Sequence, residues 1–247
     1  MTNTQTGAFL IAGVEAESVL SVELHTHSAL SYDGRDPVEA LLSRAQLASL
    51  DAIAVTDHDE IDASLRACEL APEYDLLGIP GMEVTSAAGH VLALGIEEAI
   101  PPGLTFRTTL DRIREQGGIA VVPHPFQESR SGVMDVISRS DLARADAIEV
   151  YNSRLLTGRA NRQAKRFARE HGLPMTAGSD AHIAEMVGRA ITKVDTDERT
   201  VEAILQAIVD GRTTIEGRRT PWHISFRQAA SGAKRKVRER LGTMMDG

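Results

Sequence analysis

A single cysteine, Cys68, stands in 247 residues. That excludes an internal disulfide and any thiolate-rich zinc site and suits a reducing compartment; set among helix formers, Cys68 itself reads as a structural thiol. Aromatic residues make up only 4% of the chain, which leaves few platforms for stacking single-stranded nucleic acid. Long apolar runs are also missing. The N-terminal segment has no basic start, and its apolar stretch from Ala8 to Val14 is short and broken by Gly13. No signal peptide and no membrane span are expected, and the expected location is cytoplasmic.

The hydrophobic content of 42% in 247 residues is enough for one well-buried α/β domain. The formal charge of -8 hides an asymmetry, because from Arg218 onward eight Lys/Arg face two Asp/Glu. We therefore divide the chain into an N-terminal extension (1–20), one domain (21–217) and a basic tail (218–247). The tail reads either as a solvated helix end or as a surface for nucleic acid, and the oligomeric state is not legible.

Short β-branched and apolar runs at Ser21–His25, Ala52–Thr56, Leu76–Val84, His90–Ile96, Ile119–Val122, Ala147–Tyr151, Pro174–Ala177 and Arg189–Val194 predict strands. Helical spacing predicts helices over Pro37–Leu50, Ile61–Leu70, Thr108–Gln116, Thr157–His171 and Glu198–Asp210. Gly117, Gly172 and Gly211 supply left-handed stops for the last three. Strand followed by helix, repeated, predicts parallel βα units.

Chemistry-bearing residues gather at the predicted strand ends. Glu23-Leu24-His25-Thr26-His27 closes the first strand, and residues two apart share a face, so two imidazoles can grip one cation. Asp33 lies in a polar loop able to fold back over that mouth. Thr56-Asp57-His58-Asp59 follows the second strand, where Asp57 or Asp59 could instead cap a helix near Glu60. Glu83 and His90 are seven residues apart across the turn Ala87-Ala88-Gly89, so a hairpin would join them. A carboxylate there could bridge two cations. His124 is held between Pro123 and Pro125, and Gly178-Ser179-Asp180-Ala181-His182 mirrors the first cluster. Six of the eight histidines sort this way, His171 and His223 being the exceptions. Imidazole and carboxylate without thiolate point to a multinuclear centre of zinc, manganese or iron rather than calcium.

Assembled in this order, the motifs resemble those of the PHP family, named for polymerases and histidinol phosphatases, over about Ser21 to Asp195. The resemblance implies a distorted (β/α)7 barrel and two or three divalent ions, manganese or zinc, with iron as a third option. It implies that His25, His27, Glu83 and Asp180 surround the first metal, that Glu83, His90 and His124 hold the second, and that Asp33, His58 and His182 hold a third. Asp33 stands where some members carry histidine. His90 and the stretch Glu149 to Arg154 resemble the short stand-alone phosphoesterase branch. Within that stretch Asn152 either orients a ligand or satisfies local backbone.

The implied reaction is hydrolysis of a phosphate ester by a water or hydroxide bridging two cations. Arg130 and Arg154, in rim loops, are candidates for the phosphate clamp. Asp59 and His182 are candidates for the leaving-group proton. The expected substrate is small and nucleotide-like: a nucleoside phosphate, a bisphosphate or the 5′-end of an oligonucleotide. No large insertion lies between Gly95 and Gly118 to build a deep cap. The alternatives are a small-metabolite phosphatase of the histidinol-phosphatase type, a metal-dependent amide hydrolase, and a non-catalytic metal-binding module.

Overall fold

The computed structural model describes residues 19–127, 133–155 and 157–219. Its strands and α-helices run β1 (Val19–Glu23), α1 (Val38–Leu47), β2 (Ala52–Ala54), α2 (Asp62–Leu70), β3 (Leu77–Ile79), β4 (Gly81–Ser86), β5 (Gly89–Leu94), α3 (Phe106–Glu115), β6 (Ile119–Val122), α4 (Arg139–Leu142), β7 (Ala147–Asn152), α5 (Gly158–His171), β8 (Met175–Gly178), β9 (Ala190–Asp195), α6 (Val201–Val209) and β10 (Thr213–Gly217). Two five-stranded sheets result, ordered β10-β9-β1-β2-β3 and β4-β5-β6-β7-β8.

Local sequence explains most boundaries. Every residue of β2 and β6 is buried, which is why those strands read as unbroken apolar runs. In α3 the Thr105 hydroxyl accepts the Thr108 N–H, and Phe106, Thr109, Leu110 and Ile113 form one buried stripe. The helix α5 buries only Ala164, Phe167 and Ala168, and stops at Gly172, whose φ of 64° favours glycine.

Three expectations need correction. The run Leu76–Val84 is two strands, because Pro80 lacks the N–H a ladder requires; β3 joins the first sheet and β4 the second. The sheets are mixed: β1–β2, β2–β3, β6–β7 and β7–β8 are parallel, whereas β4–β5, β5–β6, β1–β9 and β9–β10 are antiparallel. Only Ala87 and Ala88 join β4 to β5, too few for a parallel crossover. Strand β10 is a polar run that sequence patterning does not mark as a strand.

Among the described residues no ladder closes the strands into a barrel. Two single bridges link the sheets instead: Thr26 with Ala181, joining the ends of β1 and β8, and His58 with Glu83, joining the end of β2 to β4. Between the sheets lies a core of Leu20, Val22, Leu24, Ala52, Ile119, Val121, Ala147 and Val194, packed on Ile204, Leu205 and Ile208 of α6. Ala52, Ile119 and Ala147 are the first residues of β2, β6 and β7, so α6 covers the starts of these strands. The other ends are left for chemistry, as in other α/β folds. No helix among the described residues is long and apolar enough to cross a membrane.

Candidate metal centre

Backbone bonds bring three loops to one mouth. His27 N–H donates to Ala181 O (2.7 Å), Ala181 N–H to His25 O (3.3 Å) and Thr56 N–H to Thr26 O (2.8 Å), fastening the ends of β1, β2 and β8. On the hairpin, Thr85 pairs opposite His90, and Glu83 shares the face of Thr85. Glu83 and His90 therefore point the same way. His124 and Asp180 have left-handed backbones, φ 32° and 51°, held on the way out of β6 and β8. Such conformations concentrate where the surroundings over-determine a functional side chain.

Glu83, fully buried, is the hub. Its Oε2 lies 3.2 Å from His25 Nε2, 3.2 Å from His27 Nε2 and 3.4 Å from His58 Nδ1; its Oε1 lies 2.7 Å from His90 Nδ1 and 3.5 Å from His124 Nε2. Asp180 Oδ1 is 3.2 Å from His182 Nδ1, 3.6 Å from His27 Nε2 and 3.9 Å from His25 Nε2. Asp33 folds back as expected, its Oδ2 2.7 Å from His182 Nε2 and 3.6 Å from His58 Nε2.

Four sets of ligand atoms converge within 4.8 Å: His25, His27 and Glu83; His25, His124 and Asp180; His58, Glu83 and His90; and His27, His58 and His182. With Asp33 on His182, all nine side chains expected to hold metal are thus in one cluster. The partition differs from the expected one, since His25, His27 and His58 each belong to two sets.

Hydrogen bonds account for only part of this proximity: His25 Nε2 pairs with Glu83 Oε2 and His182 Nε2 with Asp33 Oδ2. Among the described residues His27 Nδ1 and Nε2, His58 Nδ1, His90 Nδ1, His124 Nδ1 and Glu83 Oε1 are buried without a hydrogen-bond partner. His90 and Glu83 are 2.7 Å apart, yet the contact lacks hydrogen-bond geometry. Each orphan costs about 1–3 kcal/mol unless something satisfies it. Lone pairs of nitrogen and oxygen aimed at shared points, with no sulfur, fit divalent zinc, manganese or iron.

The fields in the cluster are strong. Burial works against a charged His25, but Glu83, Glu149 and Asp180 outweigh it and hold the imidazole well above its ordinary range. In His58 burial yields to Glu83 and Asp33, ending at about 9. His27 is pushed down to about 3 by burial and by neighbouring His182. Burial also resists ionisation of Glu83, Asp180 and Asp33, yet His58, His90 and His25 around Glu83, Arg154 and His25 beside Asp180, and His182 and His58 on Asp33 hold all three well below the usual carboxylate range. Three carboxylates thus stay ionised in the cluster, and a divalent cation could replace the protons that His25 and His58 hold against them.

Sequence reasoning missed a supporting layer. Glu149, on β7, accepts His25 Nδ1–H (2.9 Å), the His124 N–H (3.0 Å) and Asn152 Nδ2–H (2.9 Å). It fixes the His25 ring so that Nε2 faces the cluster. Gly178 makes room for this contact, for a Cβ there would lie 2.5 Å from both Glu149 Oε1 and His25 Cβ. An acidic residue inside an otherwise apolar strand was the available signal. Buried Glu23 likewise accepts the N–H groups of Ser179 and Gly188, and burial raises its carboxyl to about 7. Asp57 accepts both the N–H (2.6 Å) and the hydroxyl of Ser28, shaping the loop after His27. The exposed Tyr32 ring stacks on His58 at 4.7 Å and 20°.

Asn152 reaches the cluster from behind, donating to Glu149 and, at 3.4 Å, to Asp180 Oδ2. Arg154 Nη1 lies 3.2 Å from Asp180 Oδ1 and 2.8 Å from His182 Nε2. Asp59 caps no helix: its Oδ1 accepts Thr85 N–H (2.7 Å), while Glu60 accepts the N–H groups of Ile61 and Asp62 at the start of α2. His171 stacks on Phe167, outside the cluster. Arg130, His223 and the tail beyond Arg219 lie outside the described residues.

The family described as PHP-associated matches residues 158–213. An uncharacterised protein of Methanocaldococcus jannaschii is 31% identical over 178 residues, 70% of this chain and 70% of that protein. A two-domain Bacteroides vulgatus protein containing a predicted PHP-like metal-dependent phosphoesterase is similar in structure, with a TM-score of 0.71 at 21% identity over 88% of this chain and 70% of that one. The lesion-specific endonuclease PfuEndoQ from Pyrococcus furiosus has a TM-score of 0.59 at 17% identity, over 80% of this chain and 58% of that one. With the motifs, the fold and these likenesses in agreement, the chain belongs to the PHP (polymerase and histidinol phosphatase) superfamily.

Proposed function

We propose that the chain is a cytoplasmic, metal-dependent phosphoesterase that hydrolyses a nucleotide-like phosphate ester: a nucleoside phosphate, a bisphosphate or the 5′-end of an oligonucleotide. The observation that carries this reading is Glu83, one buried carboxylate among five imidazoles, four of which present nitrogens that find no hydrogen-bond partner among the described residues. The catalytic unit is 21–217, and the two bridged seams support viewing its sheets as a distorted seven-stranded barrel.

The nine ligands would hold two or three divalent ions, manganese or zinc: His25, His27, Glu83 and Asp180 at one, Glu83, His90 and His124 at another, Asp33, His58 and His182 at a third. When bound, such ions polarise phosphoryl oxygens and make water nucleophilic near neutral pH. The remaining work falls to the protein. Glu149 and Asn152 hold His25 and Asp180 in place. Arg154 already donates through Nη1 to the anionic Asp180 and would exchange that oxygen for a phosphate oxygen as substrate enters. Asp59, or His182 between Arg154 and Asp33 when it holds no third ion, would deliver the proton to the departing oxygen. The likeness to a phosphoesterase-containing protein and to an endonuclease supports the reaction class.

A turnover screen of manganese- or zinc-reconstituted protein over nucleoside monophosphates, bisphosphates, short oligonucleotides, sugar phosphates and cyclic amides tests this. Nucleotide-type esters should lead. Turnover confined to sugar phosphates would move the assignment to a metabolite phosphatase, and turnover confined to amides would overturn it.

A further inference from the structure

We infer that the outer face of α5 is a track for the sugar–phosphate backbone of a nucleic-acid strand whose end enters the metal centre. This rests on the reading of the centre as a phosphoesterase for nucleotide-type substrates.

Helix α5 carries five basic side chains, Arg159, Arg162, Lys165, Arg166 and Arg169, and one acidic, Glu170. Arg159, Arg162, Arg166 and Arg169 are spaced three, four and three apart, so they form one stripe along the helix. All five basic residues are exposed. Glu170 pairs with Arg166 (2.6 Å) and Arg139 (2.8 Å); among the described residues Arg159, Arg162, Lys165 and Arg169 have no acidic partner. In a chain of net charge -8 a basic helix adds nothing to solubility. Four uncompensated cations on one element of an acidic protein call for a polyanion.

The stripe begins at the site. Asn161, between its first two arginines, accepts the Asn152 N–H and donates to Asn152 O, both at 3.1 Å. Asn152 in turn touches Glu149 and Asp180 within the cluster, and Arg154 follows two residues later. The first turn of α5 is therefore clamped to the rim, and the helix runs from there toward the start of β8. Arg219 adds a further cation at the head of the stripe, its guanidinium 2.7 Å from where a Cβ on Gly158 would sit. From Arg159 to Arg169 the rise is about 15 Å at ~1.5 Å per residue. That length can follow several consecutive phosphates of one strand.

The face suits a nucleic-acid backbone better than other polyanions. The apolar residues of α5 that are buried, Ala164, Phe167 and Ala168, turn inward, so the exposed side has no wedge for a lipid interface and no anchor for a protein partner. Arginine forks bind pairs of phosphate oxygens without reading base sequence.

The test uses the full, metal-loaded chain and a 3′-labelled, phosphorothioate-linked oligothymidylate of twelve nucleotides, followed by fluorescence anisotropy over a salt series. The Arg159→Gln/Arg162→Gln/Arg169→Gln protein should bind at least tenfold more weakly at low salt. Its slope of log affinity against log salt should be shallower by about two, at ~0.7 for each phosphate that is no longer neutralised. Arg107→Gln/Arg112→Gln on α3 serves as the control and should stay within twofold of wild type, with thermal melts confirming that each variant folds. Wild-type affinity and slope in the triple variant would overturn the inference, as would preference for anionic phospholipid vesicles over the oligonucleotide. Wild-type turnover of a small phosphate monoester reports on the reading of the centre separately, since the stripe is read from binding alone.

Discussion

Glu83 has two oxygens and five imidazoles within 3.5 Å, an arrangement no set of hydrogen bonds can satisfy. At the residue scale this was partly legible, because histidines and carboxylates at strand ends are unusual enough to stand out even singly. Glu149 was not, since its role depends on a partner 124 positions away. We expect Glu149→Ala to weaken metal affinity by about 10–100-fold, the usual effect of removing a carboxylate behind a ligating histidine. Glu149→Gln should recover part of it, and equilibrium competition with a fluorescent chelator measures both; unchanged affinity in Glu149→Ala would remove Glu149 from the account. Arg154→Ala should raise KM or lower kcat for a dianionic monoester with metal content unchanged, whereas wild-type kinetics for every active substrate would show that Arg154 does not bind phosphate. Metal loading should release protons at pH 7. His25 and His58 are held protonated above neutrality, and a cation takes only the neutral ring, so affinity should climb as pH rises toward about 9. Calorimetry in buffers of different ionisation enthalpy reads this directly, and zero proton release would contradict it.

At the scale of elements, all helices but the four-residue α4 were read to within a few residues because their stops are local: a glycine at the end of α5, a threonine hydroxyl at the start of α3. Strand partners were not, because pairing is a property of distant segments. Pro80 sits inside an apolar run and switches the chain from one sheet to the other, and β10 is recruited by β9 despite its polar sequence. The fully buried Ile204 and Ile208 of α6 pack on the strand starts, away from the metal centre. Ile208→Ala should therefore cost about 2–5 kcal/mol of stability. The folded fraction should bind metal as wild type does. Denaturant melts and metal analysis separate the two, and a loss of metal without a loss of stability would show that α6 supports the centre rather than the core.

For the whole molecule, the sequence motifs marked which side chains converge better than they marked the architecture. A parallel barrel was expected; two mixed sheets meeting at two single bridges are found, and both bridges lie beside ligands, at Thr26 with Ala181 and at His58 with Glu83. Whether the cluster holds metal is read from metal content by mass spectrometry, on protein stripped with chelator, reconstituted with manganese or zinc and desalted, for wild type, His25→Ala, Asp180→Ala and His171→Ala. At least two equivalents are expected in wild type and in His171→Ala, and reduced metal with abolished phosphoesterase turnover in His25→Ala and Asp180→Ala. Less than one equivalent in wild type, or wild-type metal and turnover in His25→Ala, would contradict the metal assignment.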